Sequence, residues 1–163
     1  MKSMVDYENT AVTSKQSKED SFFKFCKDNL LLVGSRAVGA GRGNSDYDFV
    51  LDMETWNKLE AHLNKEAFYF EHLPIYGEFQ LYNRYNVKVF LKQINICVNL
   101  IVYGGDMSTI KETFSKINQM LRAAPKGLVQ DKEFRCEIYN SVLKRLYDKP
   151  KPSASILENF SLF

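Results

Sequence analysis

Histidine, cysteine, tryptophan and proline are all scarce in this 163-residue chain, and the first two shortages close off whole classes of chemistry. Its two histidines, His62 and His72, are isolated, so they read as structural or exposed residues and not as general bases. The three cysteines, Cys26, Cys97 and Cys136, lie far apart. That spacing gives neither a zinc pattern nor a disulfide framework and reads as idle thiols in a reducing cytosol. No apolar run approaches the ~18 residues of a membrane span, and the first residues lack the apolar core of a signal peptide. A soluble, cytoplasmic protein without membrane partners is the expectation. Charge is nearly balanced at +2, too mild to argue nucleic-acid binding from composition. Repeats and low-complexity tracts are also absent.

What the chain does have is apolar and aromatic mass. Hydrophobic residues make up 45% and aromatics 13%, with 12 Phe and 9 Tyr, enough for one domain with a mixed sheet packed on helices. Residues 1–16 are polar and aperiodic and read as a loose segment. Ser17 to Asp28 reads as a helix with Phe22, Phe23 and Cys26 on its apolar stripe. Apolar strands are expected at Leu30–Val33 and Tyr47–Asp52, and a helix at 54–64 with Trp56, Leu59 and Leu63 on one face. The aromatic stretch Phe68 to Tyr82, broken by Pro74 and Gly77, suggests short edge strands. Val87–Leu91 and Ile94–Tyr103 pair like a hairpin across Lys92-Gln93. Two helices follow, at 107–122 and 131–147, the second with an expected stripe of Phe134, Ile138, Val142 and Leu146. Pro150 and Pro152 open a linker to an apolar tail at 150–163. The fold class is therefore α+β, a mixed sheet with helices expected on one face.

The chemistry concentrates between Gly34 and Leu51, in GSRAVGAGRGNSDYDFVL. Gly34 lets the backbone approach a bulky anion, and Ser35 is placed to cap a short helix whose free N–H groups favour phosphate. Asp46 and Asp48 are two apart on an extended segment, so their carboxylates share a face. Paired carboxylates beside an anion-binding turn suit Mg²⁺ carrying a nucleoside triphosphate (NTP). Arg36 and Arg42 flank the turn and are candidates for phosphate oxygens. Lys88 and Lys92 alternate with apolar residues and read as a solvent face. The basic residues of the last helix, among them Lys132, Arg135, Lys144 and Arg145, also read as solvated in preference to an RNA-binding stripe. Tyr76, Phe79, Tyr82 and Tyr85 could stack a base, but read first as a second packing layer.

Gly-Ser, a spacer, then Asp-x-Asp resembles the signature of the nucleotidyltransferase superfamily with the DNA polymerase beta-like fold. The Arg-Ala after Gly-Ser and the Ser-Asp-Tyr-Asp run are similar to its minimal members, including small nucleotidyltransferases of phage genomes. The resemblance spans roughly Leu30 to Tyr103, a palm of about 30–103 within a minimal domain of 17–149. It implies a Mg²⁺- or Mn²⁺-dependent transfer of a nucleoside monophosphate from an NTP to a hydroxyl on RNA, protein or a small molecule, in the host cytoplasm if the chain is phage-encoded. Asp46 and Asp48 are the implied metal ligands, and Gly34, Ser35 and Arg36 the implied nucleotide contacts. The third acidic position of the pattern falls on INICVNLIVY, where Asn99 stands. Three readings of Asn99 are open: a native Asn, a substitute carboxylate at Asp52 or Glu78, or an Asp-to-Asn change. The alternative function is a degenerate relative that binds nucleotide, RNA or a partner protein without turnover. The tail, with Ile156, Leu157, Phe160 and Phe163, suggests docking on the domain itself or across a homodimer.

Overall fold

The computed structural model describes residues 4–75 and 83–147, with side chains from residue 14 onward. Glu78, the stacking candidates Tyr76, Phe79 and Tyr82, and the 150–163 tail lie outside the described residues. Among the described residues the elements run in the order α1 (Met4–Asn29), β1 (Leu31–Val33), a 3₁₀ turn (Ser35–Ala37), β2 (Tyr47–Asp52), α2 (Met53–Lys65), β3 (Phe70–His72), β4 (Asn83–Leu91), β5 (Ile96–Tyr103), α3 (Met107–Ala123), α4 (Lys126–Val129) and α5 (Lys132–Tyr147). The fold is α+β. Among the described residues, no helix is long and apolar enough to cross a membrane.

The sheet has the order β1-β2-β5-β4-β3. β2 and β5 are parallel and central, while β1 pairs antiparallel with β2, β4 with β5, and β3 with β4. A parallel neighbour needs a crossover, and here α2, β3 and β4 supply it. Strand alternation then sorts the core. Phe49, Leu51, Val87, Val89, Val98 and Leu100 point to the face covered by α1 and α2, where Phe22, Cys26, Trp56, Leu59 and Leu63 complete the packing. Val33, Val50, Ile101 and Tyr103 point to the opposite face, against Ile110, Phe114 and Ile117 of α3 and Tyr139 and Leu143 of α5.

Helices therefore cover both faces, not one. Continuous apolar runs such as FVL in β2 require this, since every side chain of a strand buried on both sides must meet something apolar. The first helix opens at Met4, ahead of the expected Ser17. In α5 the buried residues are Tyr139 and Leu143, while Phe134, Ile138 and Val142 only flank them. A four-residue apolar spacing drifts round a helix of 3.6 residues per turn, so the contact stripe sits one position further on. Two carboxylates serve structure. Asp52 accepts from Thr55 N–H at 3.0 Å to cap α2, and Asp106 accepts from Thr109 N–H at 2.8 Å to cap α3.

The two-sided core predicts that Trp56→Ala and Phe114→Ala each cost about 3–5 kcal/mol. Lying on opposite faces, they should add within ~0.5 kcal/mol in urea unfolding. Strong coupling between them would show that the two faces do not pack independently.

Candidate active site

The register of three strands assembles the site. Asp48 of β2 lies opposite Asn99 of the parallel β5, and Asn99 lies opposite Lys88 of β4. All three project to the α3/α5 face, in phase with Val50 and Ile101. Asp46 sits just before β2 on the same side, as the spacing Asp-x-Asp implies. The Asn99 amide stands between the two carboxylates, its Nδ2 donating to Asp48 Oδ1 at 2.8 Å and to Asp46 Oδ2 at 3.2 Å. Lys88 Nζ lies 3.3 Å from Asp46 Oδ2. The solvent face expected for Lys88 is thus corrected: its ammonium is part of the cluster. Only its cross-strand position, opposite Asn99, could have signalled this, and a hairpin's register is not readable from alternation alone.

The turn after β1 closes over Asp48. Gly34 has φ +75°, and a Cβ there would stand 2.5 Å from Asp48 Oδ2. Only glycine lets the carboxylate pack directly on the backbone. The Gly34 N–H donates to the Tyr139 hydroxyl at 2.9 Å, tying the turn to α5. The residue that caps the 3₁₀ turn is Gly34, not Ser35 as expected, and no side chain caps it. Ser35 is instead the first residue inside the turn. Among the described residues the Ser35 hydroxyl and the backbone N–H groups of Ser35 and Arg36 have no hydrogen-bond partner. Unfilled donors at a turn beside two carboxylates are what an anion accompanied by a cation requires.

Arg36 is committed to the loop. Its Nη2 donates to Ser45 O at 2.8 Å and Gly43 O at 3.1 Å, its Nε to Ser45 O at 3.2 Å, and the guanidinium lies 4.3 Å from the Tyr47 ring centre. It holds the Gly-rich segment in place and so orients Asp46. Arg42 is exposed, its backbone N–H bound by the Ser45 hydroxyl at 2.8 Å. Asp52, occupied at the start of α2, is not in the cluster, which removes it as a substitute third acid. His62 and His72 are also elsewhere, His72 beside Glu60 and Trp56.

Electrostatics set the cluster's state. Burial pushes the Asp48 carboxyl up to about 6, helped by the charge of Asp46 and opposed by the Asn99 hydrogen bond and the cations Lys132 and Arg135 of α5. Those two α5 residues, expected to face solvent only, therefore act on the site at the level of its field. Burial also pushes the Tyr139 hydroxyl up to about 12, keeping it neutral beside Gly34.

A divalent cation fits this donor set. Two carboxylates converge on the Asn99 amide nitrogen, and Asn99 Oδ1 is buried without a hydrogen-bond partner; turning the amide over would bring this neutral oxygen toward them in place of Nδ2. Among the described residues no three His, Cys, Asp or Glu side chains group together, because the third member here is an amide.

No protein-family model and no curated protein matches the chain. Among solved structures, the chain is similar to "Structure of Cid1 in complex with the UTP analog UMPNPP" at 16% identity and a TM-score of 0.33. The match covers 69% of this chain and 37% of that one, so this chain spans little more than a third of the length of the structure it matches.

Because the folded-state carboxyl of Asp48 is raised, the protonated form is favoured on folding. Its contribution to stability is complete below the ordinary value of 3.8 and is lost as pH rises through about 6. The chelator-treated protein should lose melting temperature between about pH 4 and about pH 6, relative to Asp48→Asn. Parallel curves for the two proteins across this range would show that Asp48 is not strained by its surroundings.

Proposed function

We propose that the chain is a nucleotidyltransferase of the polymerase beta-like type, moving a nucleoside monophosphate from an NTP to a hydroxyl acceptor. One observation carries this reading: the Asp48 carboxylate packs on the Gly34 backbone, so an acidic pair and a turn with unfilled N–H groups share one wall. Asp46, Asp48 and the Asn99 oxygen would hold Mg²⁺ or Mn²⁺. When bound, the ion neutralises phosphate charge and favours ionisation of an attacking hydroxyl. Ser35, through its hydroxyl and N–H, and the Arg36 N–H are the donors for terminal phosphate oxygens. Arg36 itself positions the loop, and Tyr139 holds Gly34 so that these donors stay aimed.

A second reading, binding without turnover, also has a specific observation behind it. The Asn99 amide donates to both carboxylates and the Lys88 ammonium pairs with Asp46, so the chain's own groups already take the positions a cation would use. An Asp at position 99 would instead place three carboxylates together, beside the single positive charge of Lys88.

The two readings separate by label transfer from each α-labelled NTP, with Mg²⁺ or Mn²⁺ and an extract of RNA and protein acceptors. The enzyme reading expects a labelled acceptor that is lost in Asp46→Ala and Asp48→Ala; no transfer with any NTP leaves the binding reading. In calorimetry, Mg²⁺ and NTP should bind together more tightly than either alone, and the same double change should abolish that synergy. Asn99→Asp should lower the melting temperature in chelator and regain it with Mg²⁺. A variant as stable as the parent without metal would rule out the crowding of charge described here.

A further inference from the structure

The site face is covered unevenly. Among the described residues, the cluster beneath α3 and α5 draws on β1, β2 and β5 and takes no residue from β3 or β4. On that uncovered side a chain of contacts leads away from the carboxylates. Lys88 Nζ, 3.3 Å from Asp46, also lies 5.4 Å from the centre of the Phe90 ring. The Phe90 and Tyr69 ring centres are 5.3 Å apart, and Lys92 Nζ lies 4.8 Å from the Tyr69 ring. Cation, ring, ring, cation is the composition of a surface that stacks bases and neutralises the phosphates between them.

Three further observations give the track a use. Tyr69 is 51% exposed, and its hydroxyl donates to Glu71 Oε1 at 2.5 Å, which orients a half-exposed ring flanked by Phe90 and Lys92. Beyond the rings, at the sheet edge where β3 and β4 meet α1 of the opposite face, lies a cleft of about 320 Å³, lined by Lys15, Lys18 and Lys92 together with Phe68, Tyr69 and Phe90. Its acidic groups are matched, Glu66 by Lys18 at 2.8 Å and Glu19 by the backbone N–H groups of Gln93 and Ile94, and among the described residues Lys15 and Lys92 have no carboxylate partner. Last, the strand order puts Gly34 and the phosphate-type turn at the β1 side of the carboxylates, while the rings lie at the β4/β3 side. A triphosphate on the first side leaves the second for whatever offers the hydroxyl.

We propose that Tyr69, Phe90 and Lys92 form a platform for a single-stranded polynucleotide, which presents a terminal hydroxyl toward Asp46 and Asp48. An acidic peptide would use the lysines and leave the paired rings without a role; a polynucleotide uses both. The inference rests on the nucleotidyl-transfer reading for its purpose, but the platform binds without NTP or metal.

The test is fluorescence anisotropy with a labelled mixed-sequence single-stranded RNA, the matching DNA, and their duplex, in chelator. Single strands should bind, the duplex more weakly, and a preference for RNA over DNA would identify the acceptor sugar. Tyr69→Ala should weaken binding roughly fivefold to a hundredfold, while Tyr69→Phe keeps it. Lys92→Gln should weaken binding modestly and reduce the salt slope by about 0.7. Asp46→Asn should leave binding intact or tighten it, so loss of catalysis and loss of the platform are read separately. Absence of single-strand binding, or binding indifferent to Tyr69→Ala and Lys92→Gln in proteins of normal melting temperature, would overturn the proposal.

Discussion

Two carboxylates packed side by side against a backbone turn repel each other, and the local structure is arranged around that repulsion. The Asn99 amide places its donor group between Asp46 and Asp48, Lys88 adds a full positive charge, and the fields of Lys132 and Arg135 reach Asp48 from α5. Each contribution comes from a different element, so the site holds β2, β5, β4 and α5 in one relation. A metal-free fold needs this internal compensation because unpaired buried carboxylates are costly. The same compensation makes the pair available to a cation that offers more than an amide and an ammonium do.

Asn99 offers two different groups to the site. Its nitrogen serves the metal-free protein, and its buried, unpartnered oxygen is the group a cation could use. An aspartate could not serve the first purpose without taking a proton. The substitution of amide for acid therefore changes what the site is like at rest as much as what it could do when loaded. Gly34 adds the geometric half of the constraint. Its positive φ and missing Cβ let Asp48 lie on the turn, and its N–H fastens the turn to Tyr139. The turn's N–H groups and the acidic pair are thereby held to one wall by packing.

The sheet separates two sides of this wall. On the β1 side the backbone is tight, glycine-rich and short of hydrogen-bond acceptors for its N–H groups. On the β4/β3 side the surface is made of rings and lysines. One side matches compact, highly charged oxygens, the other extended and partly apolar matter. That polarity follows from strand order: β3 and β4 fall between β2 and β5 in sequence but lie beyond β5 in the sheet, and among the described residues the cluster beneath α3 and α5 takes none of theirs.

Much of this was legible in one dimension because it is local. The Gly-Ser turn, the shared face of Asp46 and Asp48, and the apolar stripes of α2 and α3 depend on neighbours a few residues apart, where chain periodicity dictates direction. Asn99 could be singled out only because it breaks a pattern that resemblance supplied. The remaining features depend on register and packing between distant segments, which periodicity does not encode. Lys88 looked like an ordinary alternating surface residue until β4 was laid against β5, and Arg36 looked like a phosphate ligand until the loop carbonyls closed on it. Tyr139 showed no sign of its role while the α5 stripe was drawn one position away. The sequence determined which groups could do chemistry; the tertiary structure decided which of them meet, because contacts across strands and faces are fixed only when the whole core closes.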